Sequence, residues 1–133
     1  MMKAIVAYVT TAVAFGALDA VWLSQMGPRL YRPVLGDLIT DSPRLAPAVA
    51  FYLIYIFGLV FFAVMPGVEA GKWTKTALNA LILGVVAYAT YDLTNQATLR
   101  TWATHLTLAD LAWGAFASTV ACSVAYIVTR RVG

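Results

Sequence analysis

Four long apolar stretches, separated by short polar ones, dominate the pattern of this chain. They cover residues 2–23, 48–65, 76–97 and 108–128. Each is close to the roughly 20 residues that a helix needs to cross a hydrocarbon core. In lipid every backbone amide must be satisfied within the segment, so helices are the natural spanning element. Residues 25–46, between the first two stretches, are more polar and are punctuated by Pro28, Pro33 and Pro43. Within them Val34, Leu35, Leu38 and Ile39 flank Gly36 and Asp37, a pattern that predicts a short amphipathic helix lying on the membrane surface. Ser42-Pro43 reads as the N-cap and first-turn proline of the second span, and Pro66-Gly67 as its end. Thr107-Leu108-Ala109-Asp110 fits a capping box at the start of the fourth.

The composition supports a membrane setting. Of 133 residues, 62% are hydrophobic and 11% charged, against about 25% charged in a soluble domain. The expected fold is therefore all-α: one integral membrane domain over residues 1–133, a bundle of four transmembrane helices with a short interfacial helix between helices 1 and 2. Lys3 and the run after it are taken as a retained helix rather than a signal peptide, because Asp19 interrupts the run and no small-residue cleavage pattern follows. The net charge of +3 is scattered between the spans, so no nucleic acid partner is expected. With the N-terminus inside, Lys3, Lys72, Lys75, Arg130 and Arg131 fall on the inner side, and Arg29, Arg32, Arg44 and Arg100 on the outer. Five against four sets both termini in the cytoplasm, by a narrow margin. The single cysteine, Cys122, lies within an apolar run and is assigned to packing.

Polar residues inside the spans are the candidates for chemistry, because each is costly in lipid without a partner or a purpose. When the helices are followed alternately up and down, Asp19 ends the first span, Tyr52 begins the second, Asp92 and Asn95 end the third, and Asp110 begins the fourth. All fall within roughly 10 Å of the same interface at 1.5 Å per residue. Trp22, Trp113, Arg100 and His105 lie on the same side, and Tyr88 shares a helix face with Asp92 and Asn95. Asp110 has two readings, a capping-box acid or a site residue. Trp22 and Trp102 have two as well, an aromatic belt or a site wall. Asp92 lies deepest and must be protonated, paired or hydrated. Arg100, Arg29 and Arg32 are the basic residues that could pair with it, and pairing is the preferred reading. No His-x-x-x-His or Glu-x-x-His spacing, Ser-His-Asp arrangement or glycine-rich phosphate loop occurs, so no metal site is expected and no catalytic residue is assigned. Two further expectations concern packing. Tyr55 needs a hydrogen-bond partner, and Gly16 and Gly114 are expected to bring the first and fourth spans together.

Four blocks, Leu18-Asp19-Ala20-Val21-Trp22-Leu23, Phe51-Tyr52-Leu53-Ile54-Tyr55, Tyr88-Ala89-Thr90-Tyr91-Asp92-Leu93-Thr94-Asn95 and Asp110-Leu111-Ala112-Trp113-Gly114, resemble a family of small bacterial inner-membrane proteins defined only as a domain of unknown function. The resemblance spans nearly the whole chain, and Tyr-Asp-Leu-Thr-Asn is its most specific part. It implies a four-span protein of the bacterial inner membrane, in a family associated with membrane-lipid modification genes, and it supplies no activity. The expected site comprises Asp19, Trp22, Tyr52, Tyr88, Asp92, Asn95, Arg100, Asp110 and Trp113, near the extracytoplasmic face. The leading expectation is binding of a small polar or cationic ligand or a lipid headgroup there, with an accessory-subunit role. The alternatives are a small proton- or cation-coupled transporter and a membrane-lipid-modifying enzyme. The lipid bilayer is the expected surrounding, and a homodimer or a larger membrane complex suits so small a bundle.

Overall fold

The computed structural model describes residues 1–40 and 42–132. In it the four apolar stretches form helices over Met2–Leu38, Leu45–Ala70, Trp73–Thr98 and Thr104–Arg130. No strand occurs among the described residues. Each helix is long and apolar enough to cross a membrane. Their outward faces carry large apolar side chains, such as Val13, Ile54 and Phe57, which is the surface a bilayer covers.

The fourth helix is the central one and packs against the other three. Along it Ala117, Ala121, Cys122 and Ala125 are fully buried, and around them lie Phe15 of the first helix, Leu59 and Val64 of the second and Ala80 of the third. Lipid tails are as apolar as leucine, so close backbone approach through small residues takes the place of a hydrophobic driving force. One such close approach joins the third and fourth helices. A Cβ on Gly84 would fall 2.5 Å from the Gly114 carbonyl oxygen, and one on Gly114 would fall 2.4 Å from the Tyr88 ring. The expected pairing of Gly16 with Gly114 is thus corrected. Nothing lies within 4 Å of a Cβ on Gly16, and the close partners of Gly114 belong to the third helix. Gly16 instead borders a shallow groove of about 380 Å³ between the first and second helices.

Proline placement shapes two helices. The first continues past residue 23, widening to a π turn over Gly27–Tyr31 and running through Arg32–Leu35 to a tighter turn at Gly36–Leu38. These turns extend the first helix, in place of the separate interfacial helix expected over 34–39. The second helix starts at Leu45 with no side-chain cap, so Ser42-Pro43 does not open it. Nor does Pro66 end it: a π turn over Val60–Val64 carries the chain past the proline to Ala70. Pro66 has no amide hydrogen, which leaves the Phe62 carbonyl without its helical donor. Asn79 Nδ2 of the third helix donates to that carbonyl at 3.0 Å. Beside it, Thr76 Oγ1 donates to the Ala63 carbonyl at 2.8 Å. Asn79 thereby joins the second and third helices. Gly71, at φ 69°, then ends the helix in the left-handed conformation that glycine adopts without penalty.

The fourth helix starts at Thr104, after Ala103. Thr107 and Asp110 therefore stand inside it, and the capping-box reading of Asp110 is overturned. The Tyr55 hydroxyl does find its partner, Ser118 Oγ at 2.6 Å.

Candidate functional site

The spans bring their carboxyl groups to one end of the bundle, and the aromatic side chains there act as hydrogen-bond donors. Asp19 is 8% exposed. One of its oxygens accepts from the Tyr52 hydroxyl, and the other accepts from Trp113 Nε1 at 3.1 Å. The Trp113 ring stacks on Trp22, with centroids 4.5 Å apart and planes 9° from parallel. Trp22 Nε1 in turn donates to the Tyr31 hydroxyl at 2.8 Å, and Tyr31 donates to Asp110 Oδ1. Two carboxyl groups on the first and fourth helices are thereby connected through two indoles and a phenol. Tyr31 lies nine residues beyond Trp22 on the same helix, at the end of the π turn Gly27–Tyr31, and there it meets both Trp22 and Asp110.

Asp92 has a different environment. It is fully buried, and neither of its oxygens receives a hydrogen bond from an amide, indole or hydroxyl donor. Its carboxyl oxygens have no hydrogen-bond partner at all among the described residues. The expected pairing with an arginine is therefore corrected. Arg100 is exposed and forms no ion pair among the described residues, and no basic side chain reaches Asp92. The loop folds away from the span it follows. Eight residues separate the two positions, about two helical turns, and the helix ends at Thr98 before the chain could bring Arg100 back.

Asp110 forms part of the floor of a cleft of about 790 Å³. The cleft lies between the last turns of the first helix, the second and third helices and the start of the fourth. Its walls are mainly apolar, from Leu23, Leu35, Ile39, Phe51 and Ala87, with Tyr31, Arg32, Thr40, Tyr88 and Tyr91 as the polar exceptions. Tyr88 reaches the cleft because Gly114 leaves room beneath its ring.

The structure thus groups Asp19, Trp22, Tyr52, Tyr88, Asp92, Asp110 and Trp113. Asn95 lies apart, half-buried beside Tyr91, and Arg100 and His105 are exposed away from the carboxyls. Trp102 donates to Thr107 Oγ1 at 2.9 Å, and Thr107 donates to Gln96 Oε1 at 2.6 Å, which fastens the loop between the third and fourth helices. Sequence reasoning missed Tyr31, which connects Trp22 to Asp110. It stands in the proline-punctuated connection, where a tyrosine reads as solvent-facing. The available signal was its distance of nine residues from Trp22, two and a half helical turns, given a helix running through Pro28. As for metal binding, no group of three or more His, Cys, Asp or Glu among the described residues could hold an ion.

No curated protein and no solved structure matches the chain. A family model does match, over residues 4–127, and by that match the chain belongs to the family described as predicted membrane protein (DUF2177).

Proposed function

We propose that the cleft binds an amphiphile, with the polar head against Asp110 and Tyr31 and the apolar body along Leu35, Ile39, Phe51 and Ala87. The observation that carries this reading is the combination in one cleft of a long apolar wall and a carboxyl floor. Ligand sites commonly pair a largely apolar lining with a few placed polar groups. A wholly polar ligand would leave the wall unused, and a hydrocarbon would leave the acid unmet. A lipid headgroup, or another head that is cationic or donates hydrogen bonds, suits the floor. On the charge bias of the loops the site faces the extracytoplasmic side of a bacterial inner membrane, where the protein acts as a lipid-binding or accessory component.

A second reading, a lipid-modifying enzyme, is favoured by two buried carboxyls, Asp92 and Asp110, of which Asp110 accepts from Tyr31 and borders the cleft while Asp92 receives no donor. Two acids in unlike surroundings are the means by which one serves as acid and the other as base. A coupled transporter is less well supported, because the carboxyls gather at one end of the bundle rather than at mid-depth.

The test is to purify the protein from its native membrane and identify retained amphiphiles by native mass spectrometry, alongside Ala87→Phe. Phenylalanine at this wall position fills the cleft without touching the acids. The wild type is expected to retain a near-stoichiometric amphiphile, and Ala87→Phe to lose it while melting normally. Equal retention by both proteins, or none by the wild type, rejects the reading.

A further inference from the structure

Two side chains of opposite charge line the cleft, Arg32 and Asp110, and they stand at different depths. Asp110 is 4% exposed and belongs to the closed floor, whereas Arg32 is exposed at the rim. The chain itself sets their spacing. Tyr31 directly precedes Arg32, and its hydroxyl donates to Asp110 Oδ1 while accepting from Trp22 Nε1. The backbone that carries the guanidinium is thus fastened to the acid. Thr40, also in the lining, is already committed, since its hydroxyl donates to the Ser42 carbonyl at 3.3 Å and accepts from the Ser42 amide at 3.2 Å. Arg32 is therefore the group of the cleft suited to an anion. A guanidinium presents five N–H donors in a planar fork, so Arg32 can hold a phosphate while keeping the interaction it already makes. Beyond Arg32 in the chain the lining is apolar at Leu35 and Ile39, and Phe51 of the second helix both lines the cleft and is exposed on the surface of the bundle.

We infer that the cleft selects a zwitterionic aminophospholipid, with its ammonium group on Asp110, its phosphodiester on Arg32 and its acyl chains along Leu35, Ile39 and Phe51. The inference rests on the amphiphile reading above and adds the two charges of the head and their order. A ligand entering over the rim meets Arg32 first and Asp110 last, so its anionic group must lie between its chains and its cationic end. An aminophospholipid carries them in that order. An anionic lipid that ends in hydroxyls brings no charge to the acid. A cationic amphiphile without phosphate leaves Arg32 unused. A quaternary ammonium has the charge but no N–H to give the carboxyl group, and charge-assisted hydrogen bonds are the strong ones.

The experiment uses the whole chain, stripped of lipid in detergent, and phosphatidylethanolamine, phosphatidylcholine and phosphatidylglycerol with the same oleoyl chains. Native mass spectrometry titrations give an affinity for each lipid. The wild type is expected to bind phosphatidylethanolamine about tenfold more tightly than either of the others, the worth of one charge-assisted hydrogen bond. Asp110→Asn should lose that preference and leave phosphatidylglycerol binding unweakened. Arg32→Gln, at the exposed rim, should weaken all the lipids by a similar factor and keep their order. Equal wild-type affinities, or a preference for phosphatidylglycerol or phosphatidylcholine, overturn the inference. So does an Arg32→Gln protein that binds like the wild type, or an Asp110→Asn protein that keeps the preference. In each of these cases the amphiphile site still stands if Ala87→Phe abolishes binding. Should Asp110→Asn fail to fold, the wild-type order and Arg32→Gln decide. No lipid binding by the wild type, or binding that Ala87→Phe leaves intact, rejects the amphiphile reading and the headgroup class together.

Discussion

Asp19 and Asp110 meet the cost of a carboxyl in an apolar bundle in the same way, with aromatic donors rather than arginines. Tyr52 and Trp113 serve the first, and Tyr31 serves the second. Phenol and indole bring their donors on large apolar bodies that pack well among lipid-facing helices, whereas an arginine would carry its own desolvation cost. This gives Tyr31 a measurable role. Tyr31→Phe removes the donor to Asp110 and strands the Trp22 N–H, and should destabilise the protein by about 1–3 kcal/mol. Denaturant titration in detergent checks this. Combined with Trp22→Phe the cost should be less than additive, because both changes break one hydrogen-bonded chain. Strict additivity would mean that the Trp22–Tyr31 bond contributes nothing.

At the scale of elements, glycine positions separate sharply. Gly114→Ala places a methyl group into the Tyr88 ring and should cost about 1–3 kcal/mol, whereas Gly16→Ala meets open space and should melt like the wild type. Thermal unfolding of the two variants side by side checks the assignment, and equal melting temperatures would contradict it. The π turn before Pro66 offers a second test. Asn79→Leu leaves the Phe62 carbonyl unmet and should cost about 0.5–2 kcal/mol in the bundle. In a Pro66→Ala background the loss should shrink, since the restored amide can serve the same carbonyl. These details show where sequence reasoning succeeded and where it stopped. The four spans were legible because each is a long uninterrupted apolar run, and the clustering of Asp19, Tyr52, Asp92 and Asp110 followed from counting residues along alternating helices. Helix ends at prolines were not legible. Pro28 and Pro66 ordinarily stop a helix, but here each sits in or beside a π turn, and at Pro66 Asn79 and Thr76 of the third helix donate to the carbonyls of Phe62 and Ala63. The partner of Gly114 was hidden for a related reason: Gly16 and Gly84 both lie on apolar helices, and only the packing shows which one faces the fourth.

For the molecule as a whole, orientation decides which compartment would supply the proposed amphiphile. Single cysteines at positions 32 and 100, introduced in Cys122→Ser, should react with a membrane-impermeant reagent added outside intact cells, and those at 72 and 130 should not. The reverse pattern would turn the cleft toward the cytoplasm without altering its construction. The arrangement of carboxyls at one end follows from an even number of spans and from which ends carry the polar residues, so the site is a property of the assembled bundle. The face-to-face contact of Trp22 with Trp113 has a consequence for spectroscopy. Two indoles held parallel at that separation couple their excited states, which should produce a paired positive and negative band in circular dichroism that a lone tryptophan lacks. Because one ring belongs to the first helix and the other to the fourth, that band is an intrinsic optical gauge of the distance between them, readable in a bilayer without any attached label.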